Sequence, residues 1–274
     1  MASRYEILPF GSAEAEAAAV RRPLAITVTC SPRHGIDHSV DVAERVAALG
    51  HEVVVHLAAR MVRDADHLDE LIERMAAIGV DDVFVIGGDG AEPLGPYGSA
   101  SELLSQITAH PRRPRRLGIG GYPEGHPFIG TAVLHRVLAT KAPVADYLVS
   151  QLCFDPEALV RWIERIRDEG IKLPLYVGLP GVVDRPRLLE VSMKVGVGTS
   201  IAYLRKQRGI RHLLGRPEDA ADRLLRDVAP LVGDPDLGVA GIHFYTFNRL
   251  ADTLEWEARR APATPSRTGV AIRG

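Results

Sequence analysis

The chain has eight short apolar runs rich in β-branched residues, and segments of helical periodicity separate most of them. Runs of four to eight such residues between polar flanks predict buried strands, and strands that alternate with helices predict parallel βαβ units. The predicted strands cover residues 5–8, 24–29, 53–55, 83–86, 117–119, 147–149, 175–177 and 239–245. The predicted helices cover residues 37–49, 65–78, 101–109, 130–140, 156–168, 185–195, 218–231 and 248–257.

Eight such units in 274 residues favour a single closed (β/α)8 TIM barrel over an open doubly wound sheet. No G-x-G-x-x-G follows a predicted strand, and no Walker A or H-E-x-x-H pattern occurs. The segment 196–199, Gly-Val-Gly-Thr, lies between two helical patterns and is interpreted as a turn. We expect one catalytic barrel domain over residues 1–259 and a flexible C-terminal tail over residues 260–274, which is rich in Ala, Pro, Thr and Arg.

Composition excludes several classes of function. The net charge is -2, and the Arg-rich stretch 112–116 is interrupted by a proline and lacks aromatic residues, so we expect no nucleic-acid or membrane partner. No segment has the ~18 apolar residues of a membrane span. Two cysteines, Cys30 and Cys153, cannot build a disulfide framework or a zinc site, which indicates a cytoplasmic location and no bound metal. The oligomeric state stays open.

Polar residues collect where the predicted strands end, which is where barrel enzymes place their catalytic groups. The segment 120–127, Gly-Gly-Tyr-Pro-Glu-Gly-His-Pro, cannot continue a strand or a helix and predicts a rigid functional loop. Each single residue has a structural alternative: His56 as a buried core histidine, Asp89 as a turn residue, Gln151 as a partner of the backbone. The other strand-end candidates are Thr29, Tyr122, Glu124, His126, His243 and Tyr245.

Glu6 is the candidate acid. It stands within an otherwise apolar strand, where an unpaired carboxylate costs several kcal/mol. Burial favours the protonated form of a carboxyl group, which suits a general acid near neutral pH. The alternative is that a residue so near the chain start is simply exposed.

Seven segments in the right order resemble the motifs of the methylenetetrahydrofolate reductase family, over nearly the whole chain. The stretch 5–9 resembles F-E-F-F-P, 28–29 resembles the V-T strand, 56–57 resembles H-L-T-C, and 88–89 resembles R-G-D. The stretch 122–127 matches Y-P-E-x-H-P, 151–155 resembles Q-F-F-F-D, and 243–249 resembles H-F-Y-T-L-N-R. The resemblance implies reduction of 5,10-methylenetetrahydrofolate to 5-methyltetrahydrofolate, a step of one-carbon metabolism that leads toward methionine.

The same resemblance implies residue roles. It makes Glu6 the acid that protonates N10 and opens the imidazolidine ring. It places Asp89, Gln151, Thr29 and Tyr245 at the folate substrate. In the usual members NAD(P)H reduces FAD, and the flavin then reduces the folate.

Departures from the family pattern concern the flavin. The helix after the Y-P-E-x-H-P motif has Leu134 at the acid position, and among its polar positions only Lys141 survives. The chain therefore resembles the short actinobacterial form without flavin, in which NADH is the co-substrate and passes hydride directly to the folate. His56, Tyr122, His126 and Lys141 would then line the dinucleotide site. The same reaction through bound FAD and a non-catalytic folate-binding barrel remain alternatives, whereas an aldolase-like barrel would need a strand-end lysine that is missing.

Overall fold

The computed structural model describes residues 2–89, 92–184, 186–188, 190 and 218–260. Eight parallel strands close into a barrel in chain order, and β1 completes the circle by pairing with both β2 and β8. The predicted TIM barrel is therefore confirmed. The strands are β1 (Ala2–Ile7), β2 (Ala25–Val28), β3 (Glu52–Ala58), β4 (Asp82–Ile86), β5 (Arg116–Gly121), β6 (Tyr147–Ser150), β7 (Leu175–Pro180) and β8 (Val239–Tyr245).

Helices surround the barrel, and their apolar faces pack against the outward side chains of the strands. One short helix, α1, was not predicted, because six alanine-rich residues give too little periodicity to detect. The helix predicted over residues 185–195 and the turn over 196–199 lie almost entirely outside the described residues. The helices are α1 (Ala13–Ala18), α2 (Gly35–Ala48), α3 (Ala65–Ala77), α4 (Ala100–Ala109), α5 (Thr131–Lys141), α6 (Pro156–Asp168), α7 (Glu218–Val228) and α8 (Leu250–Ala258).

The start of α6 follows directly from its sequence. The Asp155 side chain accepts hydrogen bonds from the backbone N–H groups of Glu157 and Ala158 at 3.0 and 3.1 Å, and Pro156 fills the first helical position. A capped first turn needs no other partner for its N–H groups. This fixes the helix directly behind the loop that carries Gln151.

Strand β5 corrects one expectation. Gly120 and Gly121 were expected in a loop, but β5 continues through both. A Cβ on Gly121 would lie 2.5 Å from Cη2 of Trp162, so only glycine lets α6 pack against the strand here. Likewise, a Cβ on Gly118 would lie 2.3 Å from the Tyr147 ring. Neighbouring aromatic rings thus fill the space that the glycines leave, which stabilises a strand of low intrinsic propensity.

The N-terminal end of the lumen holds a buried ionic network. The Arg4 guanidinium lies 3.2 Å from Asp82 Oδ2, and the Tyr147 hydroxyl donates to Asp82 Oδ1 at 2.7 Å. The guanidinium also stacks over the rings of Tyr147 and Tyr176, with its Cζ 4.3 and 4.2 Å from the ring centroids. Every charge in this network is paired, which is the condition for burying it.

Arg260, the first residue of the predicted tail, lies within the described residues and is paired with Asp222 of α7. Residues 261–274 lie outside the described residues. Within the described ranges, the helices are too short or too polar to cross a membrane.

We expect Asp82→Ala to lower the free energy of unfolding by about 3 kcal/mol, because it leaves the Arg4 charge buried without its partner. Asp81→Ala is the matched control, since the neighbouring Asp81 pairs with Arg115 on the exposed surface and should change stability by less than about 1 kcal/mol. Urea unfolding of both variants measures the difference. If both variants lowered the free energy of unfolding equally, the buried Arg4–Asp82 pair would contribute no more to stability than the exposed one.

Candidate functional site

Glu6 lies in the lumen near the C-terminal end of β1, between two imidazole rings. Its Oε2 lies 3.2 Å from Nε2 of His243 on β8 and 3.6 Å from Nε2 of His56 on β3. The side chain of Glu6 is only 12% exposed. The carboxyl group is therefore partly desolvated, as its apolar strand predicted, and both histidines contact the same oxygen.

Burial controls the charge of His56. It lowers the pKa of His56 to about 4, against the attraction of the Glu6 carboxylate and with a further lowering by His243. His56 is thus neutral at pH 7. Its ring also packs against Phe84, with centroids 4.7 Å apart. The alternative of a buried core histidine describes this position well, and a role for His56 in dinucleotide binding stays a prediction.

Backbone contacts hold the Glu6 segment to the loop after β8. Thr246 donates to the Glu6 carbonyl oxygen twice, through its N–H at 3.2 Å and its hydroxyl at 2.6 Å. One turn further, the Asn248 side chain accepts from Leu8 N–H at 2.8 Å and donates to the carbonyl oxygens of Leu8 and Phe10. These bonds join the first and last strands at the rim and set the position of the acid.

Tyr245 closes the lumen beside Glu6. Its hydroxyl donates to the Ser150 carbonyl oxygen at 3.1 Å, and its ring meets the His243 ring edge-on with centroids 4.9 Å apart. Burial, then the charge of Glu6, raises the pKa of Tyr245 well above its usual value. Because the hydroxyl group of Tyr245 is already bonded to the Ser150 carbonyl oxygen, a substrate would contact the ring of Tyr245 instead.

A second group of side chains lies at the ends of β4 and β5. Tyr122 and His126 pack edge to face with ring centroids 5.4 Å apart, and the charge of Asp89 acts on both. Burial raises the pKa of Tyr122 and lowers that of His126. The structure therefore brings Asp89, predicted for the substrate, close to two residues predicted for the dinucleotide.

Glu124 joins the β5 loop to the β6 loop. Its Oε1 accepts from the backbone N–H groups of Phe154 at 2.8 Å and Asp155 at 2.6 Å. Hydrogen bonds to an ionised acceptor are roughly twice as strong as neutral ones. The sequence placed Glu124 at a strand end but gave it no role. In the structure its two hydrogen bonds fix the loop that carries Tyr122 against the start of α6.

Gln151 and Thr29 lie at the rim, one residue beyond β6 and β2. The side-chain carbonyl of Gln151 accepts from the N–H of Leu152 at 2.8 Å, as the backbone-partner alternative expected. Thr29 continues the β2 ladder through its N–H to Ile7 at 3.1 Å. Both positions are compatible with a ligand over the barrel mouth, and their substrate roles stay predictions.

Lys141 lies in a cleft of about 380 Å³ between α5 and α6, which the end of β5 and the loop after it also line. The side chain is buried, and burial lowers the pKa of Lys141 to about 8. Among the described residues, no acid is ion-paired with it. Tyr122 lines the same cleft, as do the basic residues His135, Arg161 and Arg165, none of which the sequence had singled out.

His243 is the site residue that sequence reasoning noticed but left unassigned. Its signal was an imidazole within the apolar alternation of β8. Its contact with Glu6 spans 237 positions of sequence and depends on the β1–β8 pairing. The described part of the chain contains no group of three His, Cys, Asp or Glu side chains arranged to hold a metal ion.

The closed parallel barrel, with acid, imidazole and phenol groups gathered at its strand ends, defines a TIM-barrel protein with an enzyme-like site. The profile of the family described as methylenetetrahydrofolate reductase matches residues 13–197, and the chain belongs to this family. Most predicted site residues fall within the matched range. Glu6, His243 and Tyr245 lie outside it.

Two curated yeast proteins are similar in sequence. Methylenetetrahydrofolate reductase 1 of Schizosaccharomyces pombe is 22% identical over 197 residues, which is 66% of this chain and 31% of that protein. Methylenetetrahydrofolate reductase 2 of Saccharomyces cerevisiae is 24% identical over 232 residues, which is 76% of this chain and 36% of that protein. The chain thus spans about a third of the length of these relatives.

Solved structures share the fold. An uncharacterised protein from Clostridium thermocellum, which binds two copies of 5-methyl-5,6,7,8-tetrahydrofolic acid, superimposes with a TM-score of 0.61 over 93% of this chain and 95% of that chain, at 12% identity. A plant class V chitinase from Cycas revoluta gives 0.51 over 94% and 98%, at 10% identity. At these identities the likeness shows the barrel alone.

Proposed function

We propose that this protein reduces 5,10-methylenetetrahydrofolate to 5-methyltetrahydrofolate, with NADH as the hydride donor and Glu6 as the general acid. The observation that carries the proposal is the partly buried Glu6 carboxyl group at the mouth of a barrel from this family. Support for a folate ligand comes from the family and from the clostridial barrel that binds a methylated tetrahydrofolate. Folate binding alone would not require an acid in the lumen.

The chemistry divides into a proton transfer and a hydride transfer. Glu6 gives its proton to N10 of the folate, the bond between N10 and the methylene carbon breaks, and a cationic N5 iminium forms. The hydride from the nicotinamide then adds to the methylene carbon and yields the methyl group and NAD⁺. The pair of electrons from the broken bond stays on N10, and Glu6 recovers a proton from water.

The proposed substrate contacts surround the barrel mouth. Asp89 contributes a negative charge that favours the iminium cation. Gln151 contributes the amide N–H₂ group that its contact with Leu152 leaves available for the pterin edge. Tyr245 presents its ring, and Thr29 lies at the rim of the neighbouring strand. These roles rest on the family resemblance and on the rim positions of the four residues.

The dinucleotide would run from the rim into the cleft between α5 and α6. Tyr122 belongs to both places, because it packs against His126 at the rim and lines the cleft that contains Lys141. α5 has 11 residues and is therefore ~16 Å long, which suits an extended dinucleotide. Nicotinamide beside Tyr122 and His126 would place the phosphates toward Lys141 and toward Arg161 and Arg165 of α6.

One partner that the family pattern gives to FAD is absent from this cleft. The face of α5 that lines it presents Leu134, Val137 and Leu138 alongside Thr131, His135 and Lys141. A flavin's hydroxyl groups would meet the apolar Leu134 where the family pattern offers a carboxylate. We therefore propose a reaction without flavin. The two free cysteines, one of them fully buried, agree with a reducing compartment such as the cytoplasm.

The first test is the protein as purified. We expect a colourless solution that oxidises NADH when methylenetetrahydrofolate is added and flavin is not. Deuterium at the transferred position of NADH should appear in the methyl product without dilution by solvent, because a flavin N5 hydrogen would exchange with water. Stoichiometric bound FAD, or label lost to water, would restore the flavin route; binding of folate without turnover would favour the non-catalytic barrel.

Glu6→Gln should lower turnover by ~10² or more while folate binding changes little, since the amide keeps the shape but cannot supply the proton. Glu52→Gln is the control, because Glu52 is exposed at the opposite end of the barrel. Steady-state assays and folate titrations distinguish the two effects. Near-normal turnover in Glu6→Gln excludes its role as the acid.

Affinity for NADH should depend on the protonation of Lys141. Its pKa is lowered to about 8, so its ammonium group is present below that pH and is lost as pH rises through it. Binding of a phosphate would then weaken by up to about tenfold per pH unit above 8. NADH titrations between neutral and alkaline pH should show this dependence in the wild type and in Lys172→Met, an exposed control, but not in Lys141→Met. The same dependence in all three proteins would place the phosphates elsewhere.

A further inference from the structure

The contacts of Glu6 distinguish its two carboxyl oxygens. Both nearby imidazoles approach Oε2, with His243 Nε2 at 3.2 Å and His56 Nε2 at 3.6 Å. Within the described residues, Oε1 makes no hydrogen bond. The carboxyl group is therefore asymmetric: one oxygen is committed to the protein, and the other is left for a ligand.

The surroundings of Nδ1, the ring nitrogen that does not contact Glu6, determine the tautomer of His243. Its Nδ1 is buried, and none of the described residues offers it a hydrogen bond. A proton on Nδ1 would be a buried donor without an acceptor, which costs the full desolvation penalty of that group. A proton on Nε2 instead donates directly to Glu6 Oε2. The Nδ1 atom of His56 is equally buried and unpartnered, so the same argument gives it the same tautomer.

We propose that His243 is a positioning residue for the reaction proposed above: its Nε2–H occupies Oε2 of Glu6, so that the transferable proton of the acid sits on Oε1. His243 is suited to this role by its distance of 3.2 Å and by its side chain, which is only 2% exposed and cannot turn toward water. His56, at the longer distance, supports the same oxygen. Both rings stay neutral in this arrangement, and neither gives up a proton during the reaction.

The other groups that face Glu6 agree with this assignment. Tyr245 on β8 has its hydroxyl committed to the Ser150 carbonyl, so it does not compete for the carboxyl oxygens. Thr27 on β2 is the direct strand neighbour of Glu6, and its buried hydroxyl has no hydrogen-bond partner among the described side chains and backbone. Among the described residues, the charge of Glu6 acts on the titration of His56 and of Tyr245.

The first measurement is independent of catalysis. Nitrogen NMR of ¹⁵N-histidine-labelled protein, free of substrate, reports the tautomer of each ring, and the signal missing from His243→Gln identifies His243. We expect a neutral ring protonated on Nε2 at neutral pH. An Nδ1–H tautomer or an imidazolium would overturn the proposal, whatever reaction the protein catalyses.

The second measurement is the pH dependence of turnover. A general acid works in its protonated form, so the rate falls as pH rises through its titration. His243→Leu removes a donor to the ionised form, so Glu6 should keep its proton longer and the falling limb should move up by roughly one pH unit or more. His243→Gln retains an N–H near the position of Nε2 and should bring the limb back toward the wild type. A shift to lower pH in His243→Leu would mean that Glu6 donates to the ring, and it would overturn the assignment.

His51→Gln is the matched control. His51 is also buried, and unlike His243 it is bonded through both ring nitrogens, to Leu24 N–H and the Ala17 carbonyl, but it lies at the opposite end of the barrel. The His51→Gln variant should leave the pH dependence of turnover unchanged. A shift of the falling limb of the pH profile in this variant would show that the profile reports general stability instead. If the wild type does not oxidise NADH with methylenetetrahydrofolate, the proposed function fails, while the NMR result still decides the tautomer.

Discussion

Closure of the barrel is the constraint on which the candidate site depends. The pairing of β1 with β8 places Glu6 beside Tyr245 in register and within reach of His243. An open sheet would leave β1 at an edge or among other neighbours, and Glu6 would lose its imidazole partner. Parallel strands in a closed circle also bring all carboxyl ends to one rim, so residues from β4, β5, β6 and β8 can surround one ligand.

Charge is separated along the barrel axis. Arg4 and Asp82 form a paired network at the N-terminal end, and the acid with its histidines lies toward the rim. A small apolar cluster of Val54, Phe84, Tyr147 and Val149 connects the two groups, because Tyr147 contacts Arg4 and Phe84 contacts His56. The network below is satisfied internally, so the Arg4 charge is already committed to Asp82.

The sequence predicted the strands and most helices because their signals are local. Gly50 and Gly79 ended helices where expected, and both have the positive φ of such caps. The end of β5 was predicted wrongly, because two glycines indicate a loop unless a Trp162 ring is known to lie against them. The Glu6–His243 contact and the cleft around Lys141 were beyond prediction for the same reason. Both depend on the register between distant elements, which a single sequence does not encode locally.

The packing of α5 gives a structural setting for Leu134, which stands where the family pattern has an acid. Along this helix only Leu138 and Lys141 are buried, while Val133 and Val137 remain substantially exposed. A helix held by so few contacts is placed mainly by its ends, through the β5 loop that Glu124 anchors and through the turn before β6. The position that is acidic in the family pattern is Leu134 here, yet Lys141 is kept in an apolar setting that works against its charge. Burying an ammonium group that has no acid paired with it among the described residues lowers stability, and an anionic ligand in the cleft would return the lost interaction.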